Sequence, residues 1–486
     1  MNDLVKKRLK VWAPIALLFC VLVGLFVWWW LDRRVTQEQR DDYSVKLSEA
    51  QRSFEAHEYV SAINKYYDAT KVVPTDIAAY EGIIKILLLK NRSADALGIV
   101  EKSANALSAT DKSRLYVMVG NYYYENKEFE KAKDIYQKGI GLGVENMNAD
   151  LMLGKSLLNV SRVEEAKRQF ELDGYSGDDL IEATLLRSYI YSLSDYGKAE
   201  NTLKEVAASD KFKLYYEEFS KVLQSLDTDT KFNSTKLARV FLNNGYPSLA
   251  VSILEPRVEE LSEYVEGLYY LGRGYVESGQ YDKGLEVLEK SLNLGYMQTD
   301  IAWVMARAYV RKNDLDSAMK YYSTSVSYAG KNIIKDLADE YILFLLRNKQ
   351  YLKAAESVTN MLTSSQSAFL YLLGIRSNYE LNEFNKIDYY LEQLKKIALT
   401  DEEKKEYLYW KGKILLKNEN LTEANSVLNE LGGLDKYNSK YYLLLGRYSV
   451  ESGDSQAAKT AFEKAVEYDL DNSVTEEALK LLSNIN

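Results

Sequence analysis

Small and bulky apolar positions recur along this chain in a fixed phase. Pairs of small residues stand twelve apart: Ala50 and Ala62, Gly120 and Ala132, Gly154 and Ala166, Ala238 and Ala250, Gly272 and Gly284, Ala306 and Ala318, Gly412 and Ala424, Gly446 and Ala458. Successive pairs are 34 residues apart in several places, as in the run 238, 272, 306. A bulky residue follows the first small site by three (Tyr123, Leu157, Phe241, Tyr275, Tyr309, Leu415). Another follows the second by four (Tyr66, Tyr136, Phe170, Leu254, Leu288, Tyr322, Leu428, Phe462). Between the two small sites come Asn91, Gly245, Gly279, Asn313 and Gly453, residue types that tolerate the left-handed conformation ending a helix. The pattern predicts pairs of antiparallel helices whose backbones approach at the small sites. Glycine in a helix costs about 1 kcal/mol relative to alanine, so Gly272 and Gly284 imply a contact close enough to require it. One such pair has too little apolar surface to fold alone, and neighbours must stack.

The stretches "SRLYVMVGNYYYENKEFEKAKDIYQKGIGLG" (113–143) and "SKYYLLLGRYSVESGDSQAAKTAFEKAVEYDLDN" (439–472) resemble tetratricopeptide repeats. The resemblance runs from Tyr43 to about Asn472, with units beginning near 43, 113, 147, 265, 299, 405 and 439 and weaker ones near 77, 180, 231, 335 and 367. It implies an all-α chain, a right-handed superhelical solenoid of about twelve helix hairpins, and the apolar run Val11–Leu31 adds the expectation of a single transmembrane helix in front. The register fails after Ala199, and 209–230 reads as an extra helix and joint between an N-terminal array (43–208) and a C-terminal array (231–472). Residues 473–486 read as a capping helix, opened by a capping box of Ser473 with Glu476 and carrying Val474, Ala478, Leu481, Leu482 and Ile485 on one face.

The uncharged run Val11–Leu31 has the length of a membrane span, about 31 Å as a helix. Trp28, Trp29 and Trp30 close it, where indole rings favour the interface. A signal peptide is the rival reading, but "WWWLDRR" offers no small-residue cleavage site. Phe19 before Cys20 likewise argues against a lipoprotein. Lys6, Lys7, Arg8 and Lys10 precede the run, while Arg33, Arg34 and Arg40 are diluted by Asp32 and Glu38. Residues 1–10 are therefore expected in the cytoplasm, 11–31 in the plasma (inner) membrane as a single-pass anchor, 32–42 as a linker, and the repeats outside the cytoplasm.

Composition narrows the chemistry. The net charge of -9 is spread along the chain, with no basic domain to follow a phosphate backbone, so nucleic acid is not an expected partner. Cys20 and His57 are the only residues of their kinds, which excludes internal disulfides and Cys/His metal clusters. No P-loop or dinucleotide loop occurs. His57 takes the place of Gly279 and Gly453 in the intra-pair turn, and Glu164 with Glu165 reads as a solvated helix face. No cofactor, metal or enzymatic activity is expected.

In tetratricopeptide-repeat proteins the first helices line a concave groove. The resemblance implies that the residue after each first small site faces it: Lys155, Arg239, Arg273, Arg307, Lys413 and Arg447, with Asn121 and Ile375 as exceptions. The family more usually has neutral polar residues there. One turn earlier lie Tyr269, Trp303, Tyr371 and Tyr409, within i, i+4 reach of the cation. Two readings stay open. The row reads carboxylates on a bound peptide, or it pairs with acids of neighbouring helices such as Glu266 and Asp300. The family's chaperone-tail clamp is not expected, because only Asn121 matches it, while Val117 and Met152 stand at other clamp positions. The expectation is a membrane-anchored scaffold that binds polypeptides, acidic segments among them, in envelope or translocon-associated assembly. A cytosol-facing organelle import-type receptor and a regulatory subunit of a membrane protease or glycan-synthesis enzyme are the alternatives.

Overall fold

A computed structural model describes residues 35–205, 209–363 and 365–485. The described residues form 26 α-helices and no strands. In chain order α1 (Gln37–Glu55) pairs with α2 (Tyr59–Val72), α3 (Ile77–Leu89) with α4 (Ser93–Lys102), α5 (Ala109–Glu125) with α6 (Phe129–Ile140), and α7 (Met147–Asn159) with α8 (Val163–Phe170). Next come α9 (Gly177–Tyr191) with α10 (Tyr196–Leu203), and the unpaired α11 (Lys213–Gln224). The second run joins α12 (Thr230–Asn243) to α13 (Pro247–Leu254), α14 (Val265–Glu277) to α15 (Tyr281–Asn293), and α16 (Gln298–Arg311) to α17 (Leu315–Ala329). It continues with α18 (Lys335–Arg347) and α19 (Tyr351–Leu362), α20 (Ala368–Glu380) and α21 (Phe384–Leu394), and α22 (Asp401–Lys417) and α23 (Leu421–Leu434). The last hairpin, α24 (Ser439–Glu451) and α25 (Ser455–Tyr468), precedes α26 (Thr475–Leu482).

The expected anchor at Val11–Leu31 lies outside the described residues, as do 1–10 and the start of the linker. No helix among the described residues is long and apolar enough to cross a membrane. The fold class is corrected accordingly: the described residues form an all-helical repeat array with no helix that could span a membrane, so they give no support to the single transmembrane helix or to the single-pass inner-membrane localisation. The longest helix among the described residues is not such a span. Helix α1 has 19 residues but carries charge throughout, from Glu38 and Arg40 to Arg52 and Glu55. It spends only one face on apolar contact. It also begins inside the stretch read as linker, where Thr36 and Gln39 form a reciprocal capping box.

Two compact units divide the chain, residues 1–115 and 116–486. In the first, Ala50 and Ala62 are fully buried, and Tyr66 sits beneath Gly82 of the following helix, where a Cβ would come within 2.4 Å of the ring. In the second, one contact recurs. A Cβ on Gly120 would stand 2.5 Å from the Tyr136 ring, and one on Gly446 2.4 Å from Phe462. Gly154 with Phe170 and Gly374 with Tyr390 repeat the pairing. The ring from the second helix fills the space left by the missing side chain. At Gly272 and Gly284 the two backbones themselves meet, with a Cβ on Gly284 only 3.0 Å from the Gly272 carbonyl oxygen.

The intra-hairpin turns share one geometry. Residues 57, 91, 127, 161, 245, 279, 313, 349, 382, 419 and 453 all have left-handed φ. The next amide donates back five residues along the chain, as Glu128 does to the Tyr123 carbonyl and Asp454 to that of Ser449. Lys127, Lys349 and Glu419 adopt this conformation without being glycine or asparagine, so helix packing imposes it. His57 is one of these turn residues, its Nδ1 2.8 Å from the Tyr59 hydroxyl. The turn inside the hairpin 177–203, at residues 192–195, has no left-handed residue.

That hairpin borders the register break, and α11 fills the break. Phe219 of α11 is fully buried and meets Tyr189 at 4.5 Å between ring centroids and Phe241 at 6.5 Å. Tyr189 in turn accepts from Asn244 Nδ2 at 2.9 Å. The Ser248 hydroxyl donates to the Leu158 carbonyl across 90 residues of sequence. The extra helix is thus a packed component of the core.

At the C-terminus Val474 and Ala478 are buried, with Leu481, Leu482 and Ile485 packed on the same core. The capping box of Ser473 with Glu476 does not form. The Ncap is Val474, and no side chain of its own caps the helix. Asp469 supplies the cap instead, accepting from the Val474 and Thr475 amides at 2.9 and 2.8 Å and from the Thr475 hydroxyl at 2.7 Å. Burial works to raise the Asp469 carboxyl, and these hydrogen bonds outweigh it, holding it below the usual aspartate range. Its contribution is therefore present above the unfolded pKa near 3.9 and lost as pH falls through the lower folded value. Asp469→Ala should cost about 1 kcal/mol, read as faster amide exchange across 474–485. Acidification below about pH 4 should reproduce that change in the parent chain and not in the variant.

Candidate functional site

First helices of successive hairpins pack side by side: α12 on α14, α14 on α16, α18 on α20, α20 on α22 and α22 on α24. Residues at one register position therefore recur along one face. Arg239, Arg273 and Arg307 hold that position on α12, α14 and α16.

Their surroundings differ. Arg239 is exposed, makes no ion pair among the described residues, and lies beside the Tyr270 hydroxyl. Arg273 turns to its own helix, its Nε 2.6 Å from Glu277 Oε1. The ring of Tyr269 is buried against Tyr270, centroids 5.1 Å apart. Burial pushes its hydroxyl up to about 12, against the opposing charge of Arg273. Of the two acids expected to neutralise the row, Glu266 accepts from the Tyr264 hydroxyl at 3.3 Å. Asp300 is raised by burial, with Arg273 opposing.

Arg307 shows the expected stacking, its guanidinium carbon 4.1 Å from the Trp303 ring centre. Its fork reaches Glu340 of the next hairpin, Nε at 2.9 and 3.1 Å and Nη2 at 2.5 Å. The Tyr322 hydroxyl donates to the same carboxylate at 2.6 Å. Burial tends to raise Glu340, and the arginine fork with the tyrosine hydroxyl leaves it below the usual glutamate range. Lys155 likewise meets Glu182 of the next hairpin at 2.6 Å, both side chains mostly buried.

Lys413 and Arg447 come together near the C-terminus. The Lys413 ammonium lies 5.0 Å from the Tyr379 ring centre, 5.1 Å from Trp410 and 5.8 Å from Tyr409. Burial pushes its pKa down. Both cations share Glu477 of α26, Arg447 in direct contact and Lys413 at 3.8 Å. Tyr371 does not join them. It is a core residue packed on Tyr390, with centroids 5.8 Å apart, and the Ile375 that follows it is fully buried. Arg376, one position on, is exposed and stands near Tyr409 and Lys413.

Sequence spacing therefore missed Arg376, Glu340 and Glu477. Arg376 is displaced by one from the register rule. The two acids come from other repeats and carry no local signal. Asn121 accepts from the Tyr136 hydroxyl at 2.7 Å and is engaged inside its own hairpin. Among the described residues no group of three His, Cys, Asp or Glu side chains is placed to hold a metal ion.

Family models described as tetratricopeptide repeat match residues 113–142 and 439–472 and residues 269–331. These segments of the chain are recognised as tetratricopeptide repeats. Similar solved structures include yeast Tom70, 14% identical over 92% of this chain and 95% of that one, with a TM-score of 0.33. A tetratricopeptide repeat protein from Parabacteroides merdae is 14% identical over 52% of this chain and 99% of that one, with a TM-score of 0.38. Likenesses this distant add nothing to the assignment. No curated protein matches the chain.

Proposed function

We propose that the chain is a non-enzymatic interaction scaffold whose first-helix face binds polypeptide segments bearing carboxylates. Tetratricopeptide repeats bind proteins and peptides, and the chemistry of the face supplies the finer part. The observation that carries it is the recurrence of a cation with neighbouring rings at one register position on successive first helices. Arg239 leaves its guanidinium exposed without an ionic partner among the described residues. Arg307 holds an internal carboxylate, that of Glu340, in a two-pronged contact while stacked on an indole, which supports this reading. Such forks suit carboxylates because donor and acceptor geometries match.

The direct experiment is fluorescence anisotropy of a labelled hexaglutamate peptide titrated with the full-length chain. Binding is expected at about 50 mM salt and should weaken several-fold by about 300 mM, where screening shortens the reach of each charge. Equal affinity for hexaglutamine would refute a carboxylate-directed face.

A further inference from the structure

The last two hairpins and α20 place Arg376, Lys413 and Arg447 near two acids, Glu477 and the exposed Glu380. The Lys413 ammonium lies over the rings of Tyr379, Tyr409 and Trp410, with the charges of Arg447 and Arg376 close enough to oppose its own. The carboxylate in contact there is Glu477, supplied by the final helix of the same chain. It does not satisfy the two cations. At 3.8 Å from Glu477 Oε2, the Lys413 ammonium is beyond hydrogen-bond distance, although its side chain is only 12% exposed. The Arg447 Nε is buried without a hydrogen-bond partner. Arg376 forms no ion pair among the described residues. A buried cation without full pairing is costly, and here two are left underpaired, with Glu477 the one acid in ion-pair contact with either among the described residues.

We infer that this cation and ring cluster is a carboxylate-binding seat for an acidic side chain of a partner polypeptide, and that Glu477 occupies it in the free chain as a displaceable internal competitor. This rests on the reading that the first-helix face binds polypeptide, and it names a particular seat and a particular occupant. The occupant's chemistry is read from Glu477 itself, a glutamate presented from a short helix between an arginine and a ring-walled lysine. Removing the glutamate charge frees the seat. Removing Lys413 destroys it while keeping its apolar volume, since methionine matches the lysine stem.

The test uses the full-length chain and the labelled hexaglutamate peptide. Glu477→Gln should bind the peptide about tenfold more tightly, the change expected when one charge-assisted contact no longer competes. Glu476→Gln, which changes net charge equally on an exposed neighbour, should shift affinity less than about twofold. Adding Lys413→Met to Glu477→Gln should abolish the gain, with circular dichroism confirming that the helices persist. The same pair compared in a chain whose Arg239, Arg273 and Arg307 are reversed to glutamate separates this seat from the central row. A gain that survives there supports the seat even when most of the affinity has gone. No gain from Glu477→Gln in either background, or an equal gain from Glu476→Gln, overturns the proposal.

Discussion

Phe219→Ala is expected to destabilise the region around α11 by about 3–5 kcal/mol, the range for emptying a fully buried phenylalanine site. The ring is enclosed by Tyr189 and Phe241, which belong to the hairpins before and after the register break. Collapse into the void is restricted because Tyr189 is also held by Asn244. In stacked arrays each element touches mainly its neighbours, and stability is a sum of local terms. The loss should therefore appear regionally, as faster amide exchange across 177–254, while exchange across 439–468 stays unchanged. Unaltered protection across 177–254 would show that α11 is an attached surface element after all.

Reversing Arg239, Arg273 and Arg307 together to glutamate is expected to lower affinity for the hexaglutamate peptide by about 100-fold or more. Each exposed ion pair contributes roughly 0.2–1 kcal/mol, and reversal replaces that attraction with a repulsion of similar size. Three sites then sum to about 3 kcal/mol, and each 1.4 kcal/mol is tenfold. In the folded chain the substitutions also set a new carboxylate at position 307 against Glu340 and another at position 273 against Glu277. Structure and binding must therefore be read separately. Glu340→Gln provides that separation. It releases Arg307 from its fork without placing like charges together, and it should strengthen peptide binding. Reversed variants that keep their helicity and still bind like the parent would make the row a set of internal supports.

How much of this was legible in advance follows from how far apart the interacting residues lie. The twelve-residue spacing of Gly120 and Ala132, or Gly446 and Ala458, records a contact inside one hairpin, between helices joined by a short turn. Such a contact must be written locally, and it could be read locally. Turn residues were legible where they were glycine or asparagine, and at His57 through its place in the register. Lys127 and Glu419 adopt the same conformation because the packed helices require it, and their side chains give no sign of it. The capping helix shows the limit from the other side. Its apolar face was readable, whereas its cap came from Asp469 rather than the Ser473 that fits the usual spacing.

By itself, then, the sequence determined a stack of helix hairpins, their phase, and which side chains share a register on the first helices. A repeat of about 34 residues encodes these through neighbours along the chain. Only the tertiary structure decided what each cation meets. Glu340 lies 33 residues from Arg307 and Glu477 lies 30 from Arg447, on separate elements, and pairing across such distances depends on how the elements stack. The same dependence made α11 a core component and left Arg239 uncovered, because contact with a distant helix is a property of the assembled face and of no single segment.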